Sequence, residues 1–241
     1  MTLLVVRGSR EFLLEPGESL GTDLGVIDLP ADAEPGDTVE THLGEEFAVR
    51  ALRGPDLFAH FERTGAPMMP RDIGLLVGHT GAADGDRVLD AGTGTGVLAA
   101  YLARAGCDVT TYEQDPEFAA VARENMALAD VTDRVDVRTG DVLEAVEGGA
   151  LGRFDLVTLD TADAPAVAER APDLLVAGGF LAAYVPFVEG AREVAVAARE
   201  AGLADVETLE TIQREMEFGE RGSRPSTAGV GHTGYLTFAR R

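Results

Sequence analysis

Apolar and polar positions follow one pattern before residue 80 and another after it. In the first part, short apolar runs are broken by turn sequences rich in Pro, Gly, Glu and Asp. These runs predict strands at 3–6, 11–14, 25–29, 38–42 and 47–50, with helical patterns at 55–63 and 72–79. Short strands with such punctuation indicate a small N-terminal β domain, which we assign to residues 1–65.

From residue 87 onward, the chain alternates between strand-like and helix-like patterns. Strands are predicted at 87–91, 108–113, 134–138, 155–160, 179–186, 206–213 and 234–239, and helices at 97–104, 116–129, 165–175 and 190–201. Alternation of this kind predicts a mostly parallel sheet covered on both faces. Residues 66–241 are therefore expected to form an α/β domain with a seven-stranded, Rossmann-like sheet whose last two strands return together.

The composition excludes several classes of protein. The single cysteine cannot form an internal disulfide or a cysteine metal cluster, and the histidines lack the spacing of metal ligands, so we predict no metal. No run approaches the roughly 20 apolar residues of a membrane span. The first ten residues also lack the features of a signal peptide. We therefore expect a cytoplasmic protein without a membrane partner.

The formal net charge of −22 arises from 42 acidic residues and 20 basic ones, all of them arginine. One interpretation is a surface that repels nucleic acid. The other is adaptation to a salt-rich cytoplasm, which the complete absence of lysine favours. At about 1 M salt the Debye length falls to about 3 Å, so the net charge would no longer prevent RNA binding.

A glycine-rich sequence, Asp90–Gly96, follows the first strand of the α/β part and precedes a helix. Glycines let the backbone approach a ligand closely, and the start of a helix offers free N–H groups. A dinucleotide site prefers the spacing Gly-x-Gly-x-x-Gly. The spacing here is Gly-x-Gly-x-Gly after an acid, which suits a ligand without pyrophosphate and with a cationic end, such as S-adenosylmethionine. The alternative is a glycine-rich turn that binds nothing.

Three acidic residues fall at the carboxyl ends of predicted strands, where open α/β sheets bind ligands. Glu113 can accept from both hydroxyls of a ribose, and Asp141 can accept from the amine of an adenine. Asp160 either caps the following helix or presents its carboxylate to a methyl acceptor.

Several motifs along nearly the whole chain resemble the tRNA (adenine-N1)-methyltransferases that modify the T-loop. They are Thr41–Phe47 in the β domain, Pro70–Gly74 at the entry to the α/β domain, Ala91–Gly96 in the loop, and Gly231–Leu236 near the end. The loop is common to many methyltransferases, whereas the first and last motifs are more specific. With its acidic, lysine-free composition, the chain resembles a haloarchaeal member of this family.

The resemblance implies a class I methyltransferase fold, S-adenosylmethionine as methyl donor, a tRNA substrate and a homotetramer. It implies methylation of N1 of a flipped adenine at position 58, with position 57 as a neighbouring target in archaeal members. Asp160 corresponds to the catalytic aspartate and also contacts the cofactor. The other cofactor-binding residues expected are Gly92, Gly94, Thr95, Gly96, Val97, Glu113 and Asp141.

The chain departs from the family pattern around the expected base pocket. Asp160 is followed by Thr161 rather than a proline, and Met69 and Met216 stand where the family has a tyrosine and a tryptophan. These departures put the choice of target base in question. For RNA contacts we select Arg71 and also Arg224, which lies in a final segment, 221–241, that contains no acid.

Two alternatives remain open at the level of the sequence. A methyltransferase of the protein isoaspartate repair type uses the same sheet but should lack the N-terminal β domain and the closing strand. A non-catalytic tRNA-binding partner is the other alternative, because the base pocket has lost expected aromatic residues.

Overall fold

The computed structural model describes residues 1–149, 151–229 and 231–241. Contacts divide the chain into two compact units. The first comprises Met1–Phe61 with Ala127–Asp130, and the second comprises Glu62–Met126 with Val131–Arg241. The domain boundary that we place after residue 65 stays a prediction.

The first unit is built from antiparallel strands, as the apolar runs predict. Its four-stranded sheet has the order β2-β1-β6-β5, and β3 and β4 form a separate hairpin. The core includes Leu3, Ile27 and Phe47, each 0% exposed. The elements are β1 (Leu3–Arg7), β2 (Arg10–Leu14), β3 (Ser19–Thr22), β4 (Gly25–Asp28), β5 (Thr38–Glu40), β6 (Glu46–Ala51) and α1 (Gly54–His60).

Side-chain hydrogen bonds explain why β5 ends before the predicted residue 42. Thr41 Oγ1 donates to the carbonyl of Leu24 at 2.8 Å, and Val26 N donates to His42 Nδ1 at 2.8 Å. These bonds turn the chain toward β4, so the Thr41–His42 pair has a structural role in this unit. The sequence did not predict β3, because Leu20 is the only large apolar residue in it.

The second unit contains the predicted alternation of strands and helices. Its elements are α2 (Pro70–Thr80), β7 (Arg87–Ala91), α3 (Val97–Arg104), β8 (Asp108–Glu113), α4 (Pro116–Leu128), β9 (Val135–Thr139), α5 (Val142–Glu147), β10 (Phe154–Leu159), α6 (Ala164–Leu174), β11 (Leu175–Val185), α7 (Val188–Glu200), β12 (Ala204–Glu210), β13 (Met216–Gly219), β14 (Gly222–Pro225) and β15 (Tyr235–Arg240).

The large sheet has seven strands in the order β12-β15-β11-β10-β7-β8-β9. Only β15 runs antiparallel to its neighbours, β11 and β12, and the other pairs are parallel. The predicted seven-stranded, Rossmann-like sheet with two returning strands is confirmed. The chain enters the sheet at β7, with β8 on one side and β10 on the other, and ligands bind at such a switch point in open α/β sheets.

The sequence patterns did not predict helix α5 or the hairpin of β13 and β14. Helix α5 has six residues and follows directly from Asp141, whose side chain caps it. The hairpin of β13 and β14 is exposed along its whole length, and each of its strands has only four residues, too few to establish an apolar pattern. A cross-strand bond in which Arg224 Nε donates to Glu217 Oε2 at 2.8 Å joins its strands.

Candidate active site

The glycine-rich loop connects β7 to α3 and passes directly over the end of β10. Gly92, Gly94 and Gly96 have φ angles of +90°, +51° and +82°, a region that favours glycine. A Cβ on Gly92 would lie 2.0 Å from the carbonyl oxygen of Asp160, and one on Gly96 would lie 2.7 Å from Met126 Cε. A side chain is therefore excluded at Gly92 by the backbone of Asp160 and disfavoured at Gly96 by the positive φ, so bare backbone forms this part of the loop surface.

A buried row of polar side chains supports this loop from three adjacent strands. Asp90, which is 2% exposed, accepts from Thr111 Oγ1 at 2.7 Å and from Thr158 Oγ1 at 2.5 Å. Thr111 in turn lies 2.6 Å from Thr93 Oγ1 in the loop. Burial raises the pKa of Asp90 to about 6, with a smaller contribution from the charge of Glu113. Because both carboxylate oxygens of Asp90 have protein partners, its observed role is to hold the loop.

Glu113 lies beside the loop, as its strand-end position predicts, whereas Asp141 caps helix α5 and is absent from the lining of the cavity at the loop, which its neighbours Gly140 and Val142 do line. Gly94 N donates to Glu113 Oε2 at 2.9 Å, and Asp115 N donates to Oε1 at 3.1 Å, so this carboxylate is fixed. Asp141 Oδ1 accepts from Leu143 N at 2.7 Å. A cavity of about 310 Å³, here called the glycine-loop cavity, is lined by Thr64–Ala66, Gly92, Gly94, Tyr112–Gln114, Phe118, Gly140, Val142, Asp160 and Thr161.

Asn125 fastens a short strap of chain, residues 62–66, to the loop. Its side chain is 3% exposed; Oδ1 accepts from Glu62 N at 3.1 Å, and Nδ2 donates to the carbonyls of Glu62 and Thr95 at 3.0 and 2.9 Å. Thr64 N also donates to Thr95 Oγ1 at 3.3 Å. Thr95 and Val97 line a smaller cavity under the strap. Sequence patterns do not indicate this role of Asn125, since its partners are distant along the chain.

Asp160 lies where two cavities meet. It lines the glycine-loop cavity and also a second one of about 540 Å³, here called the Tyr184 cavity. Burial, together with the negative charges of Asp90 and Glu113, raises the pKa of Asp160 to about 7. A carboxyl group with a pKa near neutrality can hold or release a proton, and its ionised form accepts hydrogen bonds from a ligand on either side.

The Tyr184 cavity contains aromatic residues that the sequence patterns did not single out. Tyr184 is at the end of β11, the neighbour of β10, and Phe187 follows two residues after β11 ends. Phe187 is 70% exposed, although it is a large apolar side chain. The signal that could have identified both is their position at the carboxyl end of a strand adjacent to the one that carries Asp160. Aromatic side chains of this kind are suited to stacking against a base.

The residues selected for RNA contacts have partners within the protein. The Arg71 side chain is 9% exposed, and its Nη2 donates to Thr233 Oγ1 at 3.1 Å. Arg224, whose side chain is 69% exposed, pairs with Glu217 across the hairpin. Met216 lies on the same hairpin and is 50% exposed, whereas Met69 is the half-buried N-cap of α2. The lining of the Tyr184 cavity includes neither methionine.

Within the described residues 1–149, 151–229 and 231–241, no group of three or more His, Cys, Asp or Glu side chains is placed to hold a metal ion. Within the same ranges, every helix is too short or too polar to cross a membrane.

Comparison with known proteins places this geometry in a family. Residues 59–222 match the model of the family described as the tRNA methyltransferase complex GCD14 subunit. The chain is 34% identical to the tRNA (adenine(57)-N(1)/adenine(58)-N(1))-methyltransferase TrmI of Methanocaldococcus jannaschii over 97% of this chain and 92% of that protein. It is 35% identical to the tRNA (adenine(58)-N(1))-methyltransferase TrmI of Thermus thermophilus over 87% of this chain and 83% of that one.

A solved structure confirms the fold over the full length. A SAM-dependent O-methyltransferase from Thermotoga maritima superposes with a TM-score of 0.83 and 27% identity, covering 100% of this chain and 92% of that chain. The seven-stranded sheet is thus that of a class I methyltransferase. On the family match and on similarity to the two TrmI enzymes over 97% and 87% of this chain, the chain belongs to the GCD14/TrmI family of tRNA methyltransferases.

Proposed function

We propose that this protein transfers the methyl group of S-adenosylmethionine to N1 of a T-loop adenine in tRNA, at position 58, with position 57 as a second target. The observation that carries the proposal is the position of Asp160 between the two cavities. One cavity has the features of a cofactor site, and the other is open, aromatic and large enough for a base. Membership of the family supplies the methyl donor and the class of RNA.

The glycine-loop cavity fits S-adenosylmethionine by the chemistry of its lining. The absence of side chains at Gly92, Gly94 and Gly96 leaves room for a ligand against the loop. Thr95 and Val97 line the smaller cavity next to the same loop. Each oxygen of Glu113 accepts one backbone N–H and keeps a second lone pair for a ribose hydroxyl. Asp141 uses one oxygen as a helix cap, so its other oxygen can accept from the amine of the adenine. When bound, the cofactor supplies an electrophilic methyl group on a sulfonium cation.

Asp160 has the central role in the proposed chemistry. Adenine N1 is a weak nucleophile, and a carboxylate that accepts from the N6 amino group moves electron density toward N1. The same carboxylate stabilises the positive charge of the methylated product. Methyl transfer is an in-line displacement that depends mainly on positioning, and the base must leave its stack to enter the cavity. Tyr184 and Phe187 are candidates to hold the flipped base.

The family resemblance supports three finer proposals. Arg71 and Arg224 contact the RNA, although each would have to share its present partner. The protein acts in the cytoplasm as a homotetramer. The charge of −22 with no lysine supports an environment of high salt, in which RNA contacts concentrate at arginines.

A single assay tests the activity and both alternatives. Unmodified tRNA transcript is incubated with S-adenosylmethionine and protein in molar potassium chloride, and the nucleosides are identified by mass after digestion. We expect N1-methyladenosine from the wild type and little from Asp160→Ala. Methylation of an isoaspartyl peptide but not of tRNA would favour the repair alternative, and binding of tRNA and cofactor without product would favour the non-catalytic partner.

A further inference from the structure

The segment His232-Thr233-Gly234 lies against the wall of the Tyr184 cavity. It follows the exposed hairpin and precedes β15, so it comes from a part of the chain far from the strands that carry the cavity. All three of its residues lie against the stretch 184–186 at the end of β11. The segment belongs to the Gly231–Leu236 motif, which resembles the family near the C-terminus. The proposed methyl-transfer step does not involve it.

Thr233 is the centre of a hydrogen-bond network. Its Oγ1 donates to Asp72 Oδ2 at 2.8 Å and accepts from Arg71 Nη2 at 3.1 Å. Burial raises the pKa of Tyr184, and the neighbouring Thr233 hydroxyl partly offsets this effect. The phenol of Tyr184 therefore lies beside the threonine hydroxyl.

His232 holds the next part of the wall. Its Nδ1 lies 2.7 Å from Glu210 Oε1 and its Nε2 lies 3.0 Å from the carbonyl oxygen of Pro186. A carbonyl and an ionised carboxylate only accept hydrogen bonds, so both ring nitrogens must donate and the ring is an imidazolium. The Pro186 carbonyl and Glu210 raise the pKa of His232, Arg71 opposes them, and Tyr235 packs against the ring at 5.0 Å.

Gly234 sets how closely the tyrosine ring approaches the backbone. A Cβ on this residue would lie 2.6 Å from Cζ of Tyr184 and 2.9 Å from its hydroxyl oxygen. Any side chain would therefore displace the ring. The Tyr184 ring thus lies on bare backbone, and its hydroxyl lies beside Thr233.

We propose that His232, Thr233 and Gly234 are positioning residues that hold Tyr184 and the Pro186–Phe187 backbone in the orientation that receives the acceptor base. The inference rests on the proposed function in one respect, that the Tyr184 cavity is where the base binds. The segment acts through the wall rather than by touching the reacting atoms. It should therefore affect use of the RNA and leave the cofactor site intact.

The test compares two replacements of Thr233. Thr233→Val keeps the shape and removes the hydroxyl, whereas Thr233→Ser keeps the hydroxyl. Loss of the two part-buried hydrogen bonds of Thr233 should lower kcat/KM for tRNA by roughly 10- to 100-fold in the valine variant. We expect the serine variant to stay within about 3-fold of wild type and the Kd for S-adenosylmethionine to change by less than about 2-fold.

Thr208→Val is the matched control, because it removes a hydroxyl that bonds Thr237 Oγ1 at 2.9 Å on the same sheet and outside the cavity lining. If Thr233→Val and this control have the same kcat/KM, or if cofactor affinity falls in parallel with activity, the positioning role is wrong. Amide hydrogen exchange across residues 184–187 gives a second readout that needs no turnover. Faster exchange in Thr233→Val alone supports the proposal and unchanged exchange contradicts it. An inactive wild type would instead refute the proposed function.

Discussion

Replacement of Asp160 by asparagine should stabilise the cofactor-free protein while it abolishes methyl transfer. Burial, with the charges of Asp90 and Glu113, raises the pKa of this carboxyl from 3.8 to about 7. The carboxyl of Asp160 therefore ionises only near pH 7 in the folded protein, whereas in the unfolded chain it ionises near its ordinary pKa of 3.8. A raised folded pKa contributes stability that is complete below the unfolded pKa and is lost as the pH rises toward 7.

The magnitude follows from the two pKa values. The interval from 3.8 to about 7 means that the ionised Asp160 lowers the free energy of unfolding by about 4 kcal/mol at pH 8, since each pKa unit corresponds to about 1.4 kcal/mol. At pH 5 the loss of stability covers only the interval from pH 3.8 to pH 5, and it amounts to about 2 kcal/mol. Asp160 is partly exposed to the cavities, so water reduces both values, and we expect Asp160→Asn to gain about 2–4 kcal/mol at pH 8. The gain should shrink as the pH falls.

Denaturant unfolding of both proteins at pH 5 and pH 8, without cofactor, measures this gain. Asp133→Asn removes the same charge from an exposed position and serves as the control. A gain for Asp160→Asn that is equal at the two pH values, or no larger than that of Asp133→Asn, would refute the reasoning. The same pKa predicts that kcat/KM for tRNA rises with pH through about 7, because the ionised form accepts from the N6 amino group.

Three substitutions test the rest of the site. Gly92→Ala places a Cβ 2.0 Å from the Asp160 carbonyl oxygen at a residue with positive φ. Calorimetry should therefore find binding of S-adenosylmethionine weakened by more than about 100-fold. Gly74→Ala is the control: the space around Gly74 is open, so this variant should bind the cofactor normally. Glu113→Gln removes the charge from the hydrogen bonds proposed to the ribose, and the Kd for S-adenosylmethionine should rise roughly 10- to 100-fold; an unchanged Kd would remove this residue from the site. Phe187→Ala should raise KM for tRNA roughly 5- to 100-fold through lost stacking, with Phe187→Tyr near wild type, and equal loss in both variants would argue against stacking.

The sequence predicted those elements best whose signals are local. The bounds of α3 and β8 agree with the prediction at both ends, because a glycine loop, apolar periodicity and turn residues mark them directly. The placement of Glu113 beside the loop also followed, since parallel strands bring their carboxyl ends to one edge. The exposed hairpin of β13 and β14 and the short helix α5 were not predicted, because neither has an apolar face long enough to form a recognisable pattern.

The sequence by itself determined the class of fold, the cofactor loop and the acids at the strand ends, because these depend on spacing within one strand–loop–helix unit. Only the tertiary structure decided which side chains surround Asp160 and how its carboxyl titrates, because burial and neighbouring charges come from distant strands. It also decided that Arg71 bonds to Thr233, 162 positions away, rather than lying fully exposed. Contacts between strands depend on the spatial order of the strands in the sheet. The spacing of residues along the chain does not specify that order.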